Sequence, residues 1–146
     1  MRAPLQVEVA VDAPAERLWA AMVDVERWPA WTPSMRRVRY LSTGGLRRGN
    51  VVVIRQPRSP SMRWTIEEVV PGRSFTWVAR SPGVVTVARH EVEPGPPTRL
   101  RLSVQWSGPA ATIVRFLAGR RTRRFLALEA EGLAAAAGAA GGRGGT

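Results

Sequence analysis

One stretch near the end of the chain decides the fold: PAATIVRFLAGRRTRRFLALEAEGLAAAA, residues 109–137. It is the only segment long enough for a long helix, since Pro109 suits a first helical position and Gly138 suits the stop. At about 1.5 Å per residue the helix would span about 42 Å. Gly119 and Gly132 are weak points at which such a helix can bend.

Helical spacing places the large apolar residues of this stretch on one broad face. Arg121 falls inside that face and Arg124 at its side. An apolar face of this width predicts that the helix lies across a sheet and covers it. The face consists of Ile113, Val114, Leu117, Phe125 and Leu128, with Phe116 at its edge.

Most of the chain before this helix alternates between apolar and polar residues, which is typical of half-buried strands. Residues 5–12 show the alternation first, and Pro71-Gly72 is a strong turn signal between two later strands. Two short helices are predicted after the first strand, at residues 15–23 and 25–28. The later strands are predicted at residues 36–42, 50–56, 63–70, 74–80, 84–93 and 99–106.

This order of elements predicts an α+β fold with an antiparallel sheet. Consecutive strands joined by short turns pair antiparallel, and a twisted sheet of about seven strands tends to curl. A long helix across the curl would cover its apolar face. If that face is too wide for one helix to fill, a cavity remains between the helix and the sheet.

The length of 146 residues predicts one domain, residues 1–137, followed by a Gly/Ala-rich segment, residues 138–146, that we expect to be disordered. The absence of cysteine excludes disulfides and thiolate chemistry. No apolar run approaches the roughly 18–20 residues of a membrane span, and residues 1–6 lack the apolar core of a signal peptide. We therefore expect a soluble cytoplasmic protein.

The chain carries a net charge of +11, and every one of its 22 basic residues is arginine. Such a charge is typical of proteins with nucleic-acid or other anionic partners, but arginine without lysine also fits the coding bias of a GC-rich genome. The scatter of the arginines over strands, turns and helix favours the compositional explanation. The cluster at residues 120–124, RRTRR, could bind nucleic acid or an anionic membrane, although a helix would point its arginines in different directions.

Several segments together resemble one family over residues 3–137. The chain is similar to the START-like or SRPBCC superfamily, and within it to the polyketide cyclase/dehydrase-like branch. The segments that carry the resemblance are AERLW (15–19), DVERWPAW (24–31), VPGRSFTW (70–77), HEVEP (90–94) and LEAEGL (128–133).

The resemblance implies a helix-grip fold, in which a curved antiparallel sheet of about seven strands wraps a long C-terminal helix around a hydrophobic cavity. Members bind lipids, sterols, polyketides or hormones, and some catalyse aromatic cyclisation or dehydration. The family has no universal catalytic motif, so the resemblance assigns no catalytic role to any residue here.

Strand alternation also predicts which side chains face the cavity. His90 should point inward, and Leu117 and Arg121 should contribute from the helix. We expect these residues to contact a hydrophobic ligand that is polyketide- or lipid-like. The inward-facing strand residues are Trp64, Ile66, Phe75, Trp77, Thr86, Ala88, Leu102, Val104 and Trp106.

His90 is the only histidine and therefore the natural acid/base candidate near neutral pH. The alternative is a histidine that merely hydrogen-bonds in the core. Glu68 could pair with His90 if the alternation of its strand holds, whereas a bulge would turn Glu68 to solvent. Arg121 could hold an anionic oxygen by bidentate bonds, or its stem could cover apolar surface while its head stays in water.

Three functions remain open from the sequence. The first is binding of a hydrophobic small molecule, the second is a polyketide cyclase or dehydratase that uses His90, and the third is a basic module for nucleic-acid or protein interaction. One histidine without cysteine argues against a zinc site, and no phosphate-cradling glycine loop occurs. We expect no cofactor, no nucleic-acid partner, and a monomer or homodimer.

Overall fold

The structure is a computed structural model that describes residues 3–143, and side chains as far as Gly138. Within these residues, seven strands and three α-helices follow one another in the predicted order. The strands are β1 (Leu5–Val11), β2 (Arg37–Tyr40), β3 (Val51–Arg55), β4 (Met62–Val70), β5 (Ser74–Ser81), β6 (Val84–Glu93) and β7 (Thr98–Ser107). The helices are α1 (Ala15–Val23), α2 (Trp28–Trp31), which follows a 3-10 turn at Val25–Arg27, and α3 (Ala111–Arg143).

All seven strands form one antiparallel sheet in the order β1-β7-β6-β5-β4-β3-β2. The strands β2 to β7 each lie beside their neighbours in sequence, as short hairpin turns require. The first strand instead pairs with the last, Leu5 opposite Val104 and Val11 opposite Thr98. The predicted α+β helix-grip fold, with its seven strands, two short helices and long C-terminal helix, is confirmed.

The core lies between the concave face of the sheet and the helices. Trp28 occupies its centre: it is fully buried, contacts the rings of Phe75 and Trp77, and donates its indole N–H to the Ala21 carbonyl at 3.2 Å. A buried indole needs such an acceptor. The pair of short helices is thereby fixed on the sheet beside the cavity described below.

The helix α3 packs on β1, β7 and α1 through its C-terminal half. The predicted apolar face is wrong for the first turns, where Ile113 is 62% and Leu117 is 75% exposed. These turns carry more large apolar residues than the sheet can cover. Helical periodicity alone therefore predicts the wrong set of buried residues on α3. The buried apolar residues of α3 are Leu126, Ala130, Leu133 and Ala137.

The helix also continues past its predicted end. It runs through Gly138 to Arg143, because a helix end at glycine requires a left-handed residue that this one does not adopt. The segment expected to be disordered, residues 138–146, stays a prediction, and its last residues, 144–146, lie outside the described part. Between residues 3 and 143, no helix combines the length and the apolar character needed to cross a membrane.

Tyr40 provides a test of the packing of β2 against the short helices. Its hydroxyl donates to the Val23 carbonyl at 3.2 Å, and burial, aided by the charges of Glu26 and Asp24, raises the pKa of Tyr40 to about 12. Since the ordinary value is about 10, the folded state favours the neutral phenol. Stability from this group is complete below about pH 10 and is lost as the pH rises towards 12.

Tyr40 is the only tyrosine, so a tyrosinate absorbance titration reports on it alone. We expect a midpoint near pH 12 in the folded protein and near pH 10 in urea. Far-UV circular dichroism at each pH serves as the control for folding. A midpoint near 10 with native dichroism would show that the phenol is solvated.

Candidate functional site

A cavity of about 330 Å³ lies between the sheet and the N-terminal half of α3. The strands contribute both aromatic and small side chains, and the helix contributes Val114, Ala118 and Phe125 among others. The cavity exists because α3 meets the sheet closely only from Leu126 onward. Its strand side is formed chiefly by Trp64, Trp77, Thr86, Ala88, Val104 and Trp106.

Two titratable side chains meet in the interior at the wall of this cavity. His90 of β6 and Glu129 of α3 both line it, with the His90 Nε2 atom 3.1 Å from the Glu129 Oε1 atom. Their side chains are 3% and 5% exposed. A buried carboxylate is tolerated when it is paired and hydrogen-bonded, and this contact joins the helix to the sheet in the interior of the protein.

The other nitrogen of His90 is unsatisfied. No partner for Nδ1 occurs among the described residues, although the atom is buried. If Glu129 is ionised, Nε2 carries the proton that faces it, and Nδ1 is then an acceptor in neutral histidine and a donor in the charged form. Buried polar atoms nearly always have a partner, so this nitrogen is an exception among the described residues.

Aromatic rings hold the imidazole in place. Phe75 stacks on it with ring centroids 4.2 Å apart and planes 13° apart, and Trp77 meets it edge-on at 4.9 Å. Trp28 approaches from a third side at 5.5 Å. Such contacts fix the plane of the imidazole ring.

Arg121 stands at the outer end of the cavity. Its Nη2 atom donates to the Pro57 carbonyl and, at 2.9 Å, to the Ser59 hydroxyl, and its guanidinium lies 5.3 Å from the centroid of the Phe125 ring. Arg121 and Ser81 are exposed lining residues, whereas His90 is buried, so the cavity reaches solvent at this end. Arg121 thus ties α3 to the loop between β3 and β4.

The structure places the predicted site residues in three groups. Seven strand residues line the cavity: Trp64, Trp77, Thr86, Ala88, His90, Val104 and Trp106, together with Arg121 from the helix. Three others, Ile66, Phe75 and Leu102, are fully buried in the core and do not line the cavity. Whether the lining residues contact a ligand stays a prediction.

Two predicted positions are corrected. Leu117 points to solvent, since the first turns of α3 present that side away from the sheet. Glu68 is exposed because a register shift between Ile66 and Glu68 interrupts the alternation of β4. The carboxylate that reaches His90 comes from Glu129 instead.

Sequence reasoning missed Glu129 as a site residue. A charged residue on a helix is assigned to the solvent side by default. The available signal is spacing, because Glu129 lies three residues after Leu126 and four before Leu133, both of which are buried. Within residues 3–143 no group of three histidine or acidic side chains could hold a metal ion.

Comparisons with known proteins agree with this geometry. The model of the family described as polyketide cyclase/dehydrase and lipid transport matches residues 2–138. No curated protein sequence matches the chain.

Solved structures share the fold at low sequence identity. The Zhui aromatase/cyclase of Streptomyces sp. R1128 is 18% identical with a TM-score of 0.75, over 92% of this chain and 93% of that one. The protein TTHA0849 of Thermus thermophilus is 17% identical with a TM-score of 0.72, over 94% and 99%. Norcoclaurine synthase of Thalictrum flavum, solved in complex with dopamine and hydroxybenzaldehyde, is 14% identical with a TM-score of 0.70, over 90% and 84%.

Proposed function

Since this chain belongs to the polyketide cyclase/dehydrase and lipid transport family, we propose that it binds a hydrophobic small molecule in the cavity between sheet and α3. One observation carries the proposal. The cavity has apolar and aromatic walls but contains a buried histidine whose Nδ1 atom lacks a partner among the described residues. Apolar pockets with a few convergent polar groups are the usual form of ligand sites.

The polar group of the ligand faces His90. A hydroxyl or a carbonyl at this position would complete the hydrogen bonding of Nδ1, as donor or as acceptor according to the charge of the ring. The walls formed by Trp64, Trp77 and Trp106 suit an aromatic body by stacking and edge contacts. The ligand class is therefore an aromatic or polyketide-like molecule with at least one oxygen.

The size of the cavity sets an upper limit on the ligand. Its 330 Å³ lies at the lower end of the roughly 300–1,000 Å³ that small-molecule pockets occupy. A compound with one or two fused rings fits this volume better than a long-chain lipid. The small aromatic compounds in the norcoclaurine synthase complex give a precedent on a similar fold.

The proposal is tested with naphthalene and 2-naphthol, which share a body and differ by one hydroxyl. We expect both to bind in equilibrium dialysis. The affinity ratio of 2-naphthol to naphthalene should fall about 3–10-fold when His90 and Glu129 are both replaced by leucine, which is the effect of one hydrogen bond. Native mass spectrometry of the purified protein, with solvent extraction, would identify a ligand that is retained from the host.

A matched pair of variants locates the binding site. Ala118→Phe fills the cavity from α3 and should abolish binding of both probes, whereas Ala20→Phe adds the same group to an exposed position of α1 and should leave it unchanged. If neither probe binds, or if Ala118→Phe binds as the wild type does, the cavity is not a ligand site.

A second candidate function is acid–base catalysis on the bound molecule. It is favoured by the contact between Nε2 of His90 and Glu129, which orients the ring and leaves Nδ1 to take a proton from carbon or to protonate a leaving hydroxyl. For any compound that the wild type retains and converts, the double leucine variant should still bind it but should lose conversion. Equal conversion by both proteins would show that His90 and Glu129 do not catalyse it, and a retained compound that the wild type leaves unconverted would favour ligand carriage.

A further inference from the structure

The first turns of α3 expose large apolar side chains. Ile113, Phe116 and Leu117 are 62%, 85% and 75% exposed. The other exposed large hydrophobics among the described residues are Leu41 and Val70, each 42% exposed. Single exposed apolar residues are ordinary, but a contiguous group marks a contact surface. We call Ile113, Phe116 and Leu117 the apolar tip.

Arginines follow the apolar tip on the same outer side of the helix. Spacings of three and four residues place side chains on one face, and Arg120, Arg123 and Arg124 are all exposed. At about 1.5 Å per residue, they lie roughly 5–12 Å further along the helix axis than Phe116 and Leu117. We call Arg120, Arg123 and Arg124 the arginine band.

No acidic group on nearby chain neutralises this band. The sequence has no aspartate or glutamate from residue 94 to residue 128, and no ion pair joins the band to another described residue. The positive charge of the arginine band therefore favours an anionic occupant. A second copy of the chain is disfavoured, because a two-fold contact would bring two arginine bands together.

We propose that the α3 tip docks on an anionic lipid bilayer. Interfacial helices bury apolar side chains about 5–10 Å into the boundary between headgroups and acyl chains, which matches the separation of the apolar tip from the arginine band. Phe116, Leu117 and Ile113 enter this boundary while the arginines meet lipid phosphates. The apolar tip and the arginine band follow one another along α3, as the acyl and phosphate layers of a bilayer follow one another in depth. An acidic protein partner would not require this separation.

Docking would bring the cavity close to the bilayer. On the opposite side of the same turns, Val114 and Ala118 line the cavity, and Arg121 lies at its outer end. A hydrophobic molecule could then pass between membrane and cavity over a short path. The docking itself goes beyond the proposed function and does not depend on it, because lipid binding is measurable without any ligand in the cavity.

The experiment is flotation of the full chain with vesicles of phosphatidylcholine containing about 30% phosphatidylglycerol, at about 0.1 M NaCl. We expect the wild type to float with these vesicles, to bind neutral phosphatidylcholine vesicles at least tenfold less, and to dissociate as salt rises. Two triple variants should each reduce binding about tenfold or more. The first, Ile113→Ser/Phe116→Ser/Leu117→Ser, loses apolar insertion. The second, Arg120→Gln/Arg123→Gln/Arg124→Gln, loses the contacts with lipid phosphates.

A charge-matched control separates docking from net charge. Arg17→Gln/Arg48→Gln/Arg73→Gln removes three exposed arginines away from the apolar tip, Arg17 lying beside Gly138 at the other end of α3. It should bind as the wild type does. Equal loss in this control, or no binding by the wild type, would overturn the proposal, and failure of all vesicle binding would favour an acidic protein partner. Circular dichroism and thermal melts confirm that the exposed substitutions leave the fold intact.

Discussion

Replacing His90 with leucine should lower the free energy of unfolding by about 3–5 kcal/mol. The substitution removes the hydrogen-bond partner of the Glu129 carboxylate, whose side chain is only 5% exposed. An uncompensated buried charge must either remain in a poorly solvating interior or take up a proton, and both cost free energy. The stacked contact with Phe75 is lost as well.

The double variant His90→Leu/Glu129→Leu should regain most of that stability. Replacing both members of a buried pair with apolar residues of similar volume is often close to neutral. The difference between the sum of the single variants and the double variant then gives the coupling energy of the pair. Urea unfolding at pH 7 supplies all four values, with an unchanged m value as evidence of comparable unfolding.

The exposed pair of Arg80 and Glu67 is the control. Its ions are closer, at 2.7 Å, but their side chains are 60% and 43% exposed. Arg80→Gln should therefore change stability by no more than about 1 kcal/mol. If His90→Leu costs as little as Arg80→Gln, or if the double variant is no better than the single one, burial of a charged pair is the wrong description of the site.

Gly132→Ala should be the second strongly destabilising change, by about 1–3 kcal/mol. A Cβ atom at this position would lie 2.9 Å from the Trp31 carbonyl carbon and 3.0 Å from Thr32 Cβ, and closer still to the Trp31 oxygen. These are mainly backbone atoms, so the clash is relieved only by moving α3 away from α2. What the sequence presents as a weak point in a helix is a place where α3 and α2 approach closely.

Gly119→Ala in the same helix is the matched control. The nearest atom to its Cβ would be Arg115 Cγ at 4.0 Å, which is an ordinary contact. Alanine should therefore stabilise the helix by up to about 1 kcal/mol through its higher propensity. Thermal denaturation of both variants gives opposite shifts of Tm under this model. A stabilised Gly132→Ala protein would show that α3 and α2 are further apart.

The sheet and the strand side of the cavity could be predicted from the sequence because a strand has a strict period of two. Once Trp77 is assigned to the inner face, its partners follow from antiparallel pairing, and Ala88 lies opposite Trp77 as expected. The same logic fails where one residue is inserted. The irregularity after Ile66 turned Glu68 outward, and nothing in the local sequence fixes its position.

The helix side was harder to predict because α3 is apolar on more than one side. Its first turns carry Phe116 and Leu117 outward, while Val114 and Ala118 face the cavity. Periodicity cannot say which face a sheet covers when the helix extends beyond the region of contact. Glu129 was missed for the opposite reason, since its buried position depends on a histidine that is 39 residues away in sequence.

The pairing of β1 with β7 has a consequence for the order of events during synthesis. Leu5 has no strand partner until Val104 has been synthesised. At about 5–20 residues per second, that wait lasts roughly 5–20 s on the ribosome. Strands β2 to β6 can pair with one another as they leave the ribosome, but the apolar face of their sheet stays uncovered until α3 has been synthesised. A growing chain is therefore most prone to aggregate after β7 has been made and before α3 (Ala111–Arg143) covers the sheet, and chaperones that engage it at that length would protect it.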